Sequence, residues 1–284
     1  MIRILAAAKI NLALDVIKKR EDGYHEVDMV MQSVGLYDEL LFHENDRITL
    51  SVDGAAPAGE DNLVFRAACL LQAETGCAKG AAITLRKKIP IAAGLAGGSA
   101  DAAATLAGLS VLWGLHLSTD ALQAIGAKLG ADIPFCLVGG TMRATGIGTT
   151  LRPLTPPPSM FLLIDRPCNG MLTREVYGGL RLATSLQHPN VDGMEVALSC
   201  GNYADLLSCA GNILESVTLP ARPQAAAAIR RLIDCGADAA RMTGSGPAVF
   251  GIFHDEQTAR AAQLCYDGGY LCIPVQSGLS IIYE

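Results

Sequence analysis

Residues 90 to 104 read Pro-Ile-Ala-Ala-Gly-Leu-Ala-Gly-Gly-Ser-Ala-Asp-Ala-Ala-Ala, a glycine- and alanine-rich stretch between a strand-like segment, Ala81 to Lys87, and an amphipathic helix. A chain that leaves a strand, turns through glycine and restarts as a helix exposes N–H groups that lack intrahelical acceptors. The aligned peptide dipoles add roughly half a positive charge at that end. An anion satisfies both needs. Gly94, Gly97 and Gly98 allow positive φ and let a phosphate approach the main chain with no Cβ in the way. Ser99 is placed to cap the helix or touch the phosphate. Ala102, Leu106, Leu109 and Trp113 recur at helical spacing, which predicts one buried face. The run from Ala102 to Leu115 is too short to cross a membrane. Two familiar phosphate loops are excluded. No lysine follows Gly98, so the Walker pattern is absent, and the spacing of 94, 97 and 98 is not G-x-G-x-x-G.

With 284 residues, half of them hydrophobic, the chain can bury a large core and is long enough for two domains. A net charge of −6 argues against a general nucleic-acid binder, so cationic help for an anionic ligand must be local. Lys18-Lys19-Arg20 and Arg86-Lys87-Lys88 are two such clusters. The nine cysteines show no C-x-x-C pair and no cysteine–histidine metal spacing, which reads as buried thiols in a reducing compartment. Lys9 interrupts the apolar N-terminal run before a signal-peptide core can form, so a cytoplasmic location is expected.

From Ala8 to Val16 the chain alternates. Ala8, Ile10, Leu12, Leu14 and Val16 form one buried face, and Lys9, Asn11, Ala13 and Asp15 a polar one. Glu21-Asp22-Gly23 is a turn, after which Val27 to Leu41 resumes a strand pattern. A polar loop from Asp53 to Asn62 precedes a helix to about Glu74. Ser118-Thr119-Asp120 starts a helix that Gly130 stops. Pro153 to Ser159, with three consecutive prolines, reads as a stiff linker. Beyond it, strands at Met160 to Ile164 and Ala248 to Phe253, with helices at Ala204 to Leu214 and Gln224 to Asp234, describe a mixed α+β unit. His43, His116, His188 and His254 have no evident chemical partner.

Three motifs in order, Ala8-Lys9-Ile10-Asn11-Leu12, the 90–104 loop and Met242-Thr243-Gly244-Ser245-Gly246-Pro247, resemble the GHMP kinases, the superfamily named for galactokinase, homoserine kinase, mevalonate kinase and phosphomevalonate kinase. The resemblance implies an α+β fold of two domains. A ribosomal-protein-S5-like unit over 1–154 would carry the ATP loop, and a ferredoxin-like unit would cover 159–284. It further implies ATP and Mg2+ as cofactors, transfer of phosphate to a small-molecule alcohol, no nucleic-acid or membrane partner, and a monomer or homodimer. Pro90, Gly94, Leu95, Ala96, Gly97, Gly98, Ser99 and Ala100 would surround the phosphates, and Asn62 and Lys87 the adenine. Lys9 would contact the reacting hydroxyl and the transferred phosphate. Asp132 would take or orient the hydroxyl proton, although it also stands where a helix N-cap would.

Asp22-Gly23-Tyr24-His25, Gly130 to Phe135 and Gly139-Gly140-Thr141 are similar to those members that act on a cytidine-diphosphate-linked alcohol in isoprenoid precursor biosynthesis. There Tyr24, His25 and Tyr177 would hold the cytidine, with Thr173 on the face of Tyr177 if that segment is helical, and with Asn11 and Gly244 beside the substrate. Where many members carry two serines and an asparagine, this chain has Ser99-Ala100-Asp101, and no dedicated Mg2+ carboxylate stands out. Two alternatives are another small-molecule kinase, such as a homoserine kinase, and a non-catalytic nucleotide- or sugar-binding regulator.

Overall fold

The computed structural model describes residues 1–182 and 186–283. The first half runs β1 (Ile2–Lys19), β2 (His25–Asn45), β3 (Ile48–Asp53), α1 (Leu63–Thr75), β4 (Gly80–Arg86), α2 (Gly97–Leu112), α3 (Thr119–Ala127), α4 (Ile133–Val138), β5 (Thr141–Gly146) and β6 (Thr150–Pro153). The second half runs β7 (Phe161–Asp165), α5 (Thr173–Gly179), α6 (Val191–Cys200), α7 (Tyr203–Cys209), β8 (Gly211–Asn212), α8 (Glu215–Ala221), α9 (Pro223–Asp234), β9 (Ala239–Met242), β10 (Val249–Phe253), α10 (Glu256–Tyr266), β11 (Tyr270–Cys272) and β12 (Leu279–Tyr283). Local chemistry sets the helix starts: Asn62 caps α1 through Val64 N–H, and Ser118, in the expected start signal, caps α3 through Ala121 N–H, although α3 stops at Ala127, ahead of Gly130.

The first sheet has the order β12-β1-β2-β4-β3, with β5 paired to both β2 and β6, and β8 to β1. Its spine is the antiparallel pair β1–β2, whose register shifts between Ala7 and Ala8 and again between Asn11 and Ala13. Lys9 and Asn11 lie between these two irregularities, a feature that re-aims side chains. The expected polar face of β1 proves to be buried as well. Ala8, Ile10 and Leu12 join a core with Leu162, Ile164 and Phe250, whereas Ile4, Ala6 and Leu14 join the core beneath α2. One strand thus serves two cores, so Lys9, Asn11 and Asp15 need partners inside the protein. His188, without an evident partner in the sequence, supplies one of them: its Nδ1 lies 2.8 Å from Asp15 Oδ1. The His254 ring packs on Tyr203.

Helix α2 is the second correction. The spacing predicts one buried face, yet every residue from Ala100 to Ser110 is buried. Its alanines and glycines let it pass between the sheet and the helices α1, α3 and α4. At Gly108 a Cβ would sit 2.7 Å from the Phe42 ring, so glycine there sets the helix-to-sheet distance.

The second sheet has the order β11-β7-β10-β9, all antiparallel. Numbered within the sheet that is 4-1-3-2, with α10 between the last two strands in sequence: the ferredoxin-like arrangement. The last strand of the chain, β12, leaves this unit and pairs with β1 in the first sheet. The two parts are also tied by ions, since Arg143 on β5 contacts Asp28 on β2 together with Asp192 and Glu195 on α6. The cysteines depart from expectation too. Cys235 and Cys265 are bonded because α9 and α10 pack side by side and bring their Cα atoms to 5.8 Å, and among the free thiols Cys200 is exposed. No helix among the described residues is long and apolar enough to cross a membrane.

Candidate active site

A cavity of about 1120 Å3 opens between the first sheet, the 90–99 loop, α5 and the 244–246 turn. Its floor is the loop, and the geometry revises the role of each glycine. The left-handed positions are Ala92, Gly94 and Ala96, with φ of 48°, 84° and 55°, while Gly97 and Gly98 already belong to the helix. Gly97 is required for a close approach instead, because a Cβ there would lie 2.8 Å from Lys87 Nζ and 2.9 Å from Ile89 Cγ2. The helix N-cap is Ala96, so Ser99 does not cap it. The first helical bond runs from Ala100 N–H to the Ala96 carbonyl, which places the N–H groups of Gly97, Gly98 and Ser99 ahead of it. Pro90, Gly94, Leu95, Ala96, Gly97, Gly98 and Ser99 all line the cavity. Ala100 does not: its side chain is in the core.

The second glycine turn holds the first in place. Ala248 N–H donates to the Ala93 carbonyl, and a Cβ on Gly244 would lie 2.9 Å from the Gly94 carbonyl oxygen. Asn11 ties the second turn to β1. Its N–H donates to Thr243 Oγ1 at 3.0 Å, and its Oδ1 accepts from Gly244 N–H at 3.1 Å and from Lys9 Nζ at 2.8 Å. Expected beside the substrate, Asn11 is instead 1% exposed and outside the cavity, where it aims Lys9.

Lys9 and Asp132 meet at the cavity wall, with Nζ 3.9 Å from Oδ2. The Asp132 side chain is 34% exposed and makes no capping bond, although it precedes α4. Capping, the competing account of this residue, therefore fails. Asn62 and Lys87 line the cavity, but their polar ends are engaged within the protein. Asn62 accepts from Val64 N–H and donates to the Pro57 carbonyl. Lys87 donates to both Asp38 and Asp101. Burial first, with Asp38 adding to it against Lys87, pushes the Asp101 carboxyl up to about 8. Neither Asp38 nor Asp101 carries a local signal of this pairing, which assembles over sequence separations of 49 and 14 residues.

At the far end, Tyr24 in the β1–β2 turn is 62% exposed, and its N–H is held by Asp22. His25 opens β2 and faces Tyr177 with ring centroids 5.2 Å apart. Tyr177 and Thr173 share α5, so the helical condition on their common face is met, and both line the cavity. Thr173 Oγ1 lies 3.2 Å from Ser245 Oγ, joining α5 to the second glycine turn. Gly244 also lines the cavity.

Two fused α+β units around a glycine loop, with a lysine–aspartate pair above it, define a GHMP kinase. The model of the GHMP kinase N-terminal domain matches residues 62–140 and that of the C-terminal domain residues 194–267, together more than half of the chain. A 4-diphosphocytidyl-2-C-methyl-D-erythritol kinase of Bacillus anthracis is 46% identical over 256 residues, 89% of this chain and 88% of that one. The crystal structure of a 4-(cytidine 5'-diphospho)-2C-methyl-D-erythritol kinase superposes with a TM-score of 0.80 at 34% identity, covering 96% of this chain and 98% of the other. The chain belongs to the 4-diphosphocytidyl-2-C-methyl-D-erythritol kinase family. A homoserine kinase of Cytophaga hutchinsonii, 20% identical with a TM-score of 0.77 over 99% of this chain and 97% of its own, shares the fold.

Proposed function

We propose that this chain transfers the γ-phosphate of ATP to the 2-hydroxyl of 4-diphosphocytidyl-2-C-methyl-D-erythritol, giving the 2-phosphate and ADP in the non-mevalonate route to isoprenoid precursors. The observation that carries this is one cavity with three stations: the loop floor, the Lys9–Asp132 pair and the His25–Tyr177 rings. The donor phosphates rest on the N–H groups at the start of α2. The acceptor hydroxyl lies against Asp132, which takes its proton as the new O–P bond forms and the bond from the γ-phosphorus to ADP breaks. Lys9 offsets the charge gathering on the transferred group. Mg2+ neutralises phosphate charge when it is bound with the nucleotide. Among the described residues no group of three His, Cys, Asp or Glu side chains is placed to hold a metal ion. That suits an ion which keeps most of its shell as phosphate oxygen and water.

An ADP-release assay with the cytidine-linked methylerythritol, homoserine and mevalonate offered separately tests the assignment. ADP is expected with the first alone; turnover of either of the others in its place would overturn it. Tyr177→Ala separates the two ends of the cavity. Loss of one stacked ring, worth about 1–3 kcal/mol, is expected to raise the acceptor KM about tenfold. The ATP KM should stay within about twofold of wild type. Equal rises in both would remove Tyr177 from the acceptor site.

A further inference from the structure

Beneath the glycine loop three side chains share one buried charge site. Lys87 Nζ donates to Asp38 Oδ2 and, at 2.8 Å, to Asp101 Oδ2, and the three side chains are 4%, 0% and 3% exposed. Asp38 is well supplied, since its Oδ1 also accepts from the N–H groups of Lys88 at 2.6 Å and Ile89 at 2.8 Å. Asp101 takes only the bond from Lys87, and its buried Oδ1 has no partner. Two carboxylates and one ammonium leave one negative charge in excess, in a place where an uncompensated ion is strongly disfavoured. A proton on Asp101, donated toward the neighbouring Asp38 carboxylate, closes the count.

We propose that Asp101 is a positioning residue for the donor nucleotide and acts as the neutral acid, completing a Lys87 strut that ties the start of α2 to β2 and to the end of β4. The inference rests on the loop being the donor site. ATP brings several negative charges to the N-terminus of α2, within two turns of Asp101. Ionised Asp101 adds a fixed, unpaired negative charge beneath them; neutral Asp101 adds none. The strut also explains why Gly97 is glycine, because a Cβ there would press on Lys87 Nζ. The titratable groups around Asp101 are Lys87 and Asp38 on the sheet side and Cys136 on α4, beyond which lie Lys9 and Asp132. Burial pushes the Cys136 thiol up and keeps it neutral. The sign follows from the raised position of the Asp101 carboxyl: the strut is intact while it holds its proton and fails as pH rises through its titration.

ATP binding to the wild type, Asp101→Asn and Asp101→Ala is measured by calorimetry from about pH 6.5 to about 9.5, with kcat and both KM values alongside. Wild-type affinity is expected to be level near neutrality and then to weaken by up to about tenfold per pH unit. Asp101→Asn, neutral at every pH and of the same shape, should bind within about threefold of wild type at neutral pH and lose the alkaline break. Asp101→Ala strips Lys87 of a partner and should raise the ATP KM about tenfold while leaving the acceptor KM unchanged. If it does not fold, the Asp101→Asn profile alone decides. The same alkaline break in Asp101→Asn would overturn the inference. So would a loss of neutral-pH binding in Asp101→Asn, since the carboxylate charge itself would then be what the nucleotide needs. Absence of ATP binding in all three proteins would remove the donor site itself, a different failure that takes this inference with it.

Discussion

Replacing Asp132 with Asn is expected to lower kcat about 10²–10⁴-fold. Folding stability should stay within about 0.5 kcal/mol of wild type. The two effects separate because of where this carboxylate stands. A lost helix cap costs about 1 kcal/mol, but Asp132 makes no capping bond to α4, so no cap is there to lose. Its pairing with Lys9, at 3.9 Å and one-third exposed, is too long and too wet to contribute much. The remaining property is proton acceptance, which an amide of the same shape does not have. The ATP KM should be unchanged, because the loop and the 244–246 turn are held by Asn11 and by each other without Asp132. Steady-state kinetics beside a denaturation curve check both halves. A variant with normal kcat, or one whose activity falls only in step with unfolding, would exclude Asp132 as the base.

How much of this was legible in the sequence depends on the distance over which each feature is assembled. The 90–104 loop was readable because strand, glycines and helix follow one another along the chain, and so was the helix start at Ser118. Why each loop residue is what it is was not readable. Two of the three left-handed positions, Ala92 and Ala96, are alanines, while Gly97 and Gly98 are helical. The alternation from Ala8 to Val16 announced a strand but not its second buried face. The face of Ala8, Ile10 and Leu12 packs against β7 and β10, while on the other face Asn11 is satisfied by Thr243 and Gly244, more than 230 residues away. Asp38 looks like any strand carboxylate until Lys87 and the N–H groups of Lys88 and Ile89 close on it. Cys235 and Cys265, 30 residues apart with no motif between them, meet only through helix packing.

Gly94→Ala is expected to destabilise the fold by more than about 2 kcal/mol and to lower kcat together with ATP affinity. The backbone alone contributes about 1–2 kcal/mol, since φ at Gly94 is +84° and a Cβ is disfavoured there. The added methyl would also run into the carbonyl of Thr243 and lie 3.0 Å from Gly246 N. Neither is the flexible end of a side chain. Thr243 is fixed from the other side, its hydroxyl accepting from Asn11 N–H, and the Gly244 N–H is fixed on Asn11 Oδ1. The two glycine turns must therefore part, and Lys9 moves with them because its N–H donates to the Leu95 carbonyl and its Nζ to Asn11. Gly98→Ala is the counterpart. Gly98 is exposed and helical, and a Cβ there meets only Leu63 Cδ1 at 3.3 Å. Alanine at Gly98 should hold or raise stability by up to about 1 kcal/mol through helix propensity, while its methyl intrudes on the phosphate floor and raises the ATP KM. Urea unfolding and ATP kinetics on the pair decide the matter. If Gly98→Ala proves the less stable of the two, the contact between the turns is not what holds the loop.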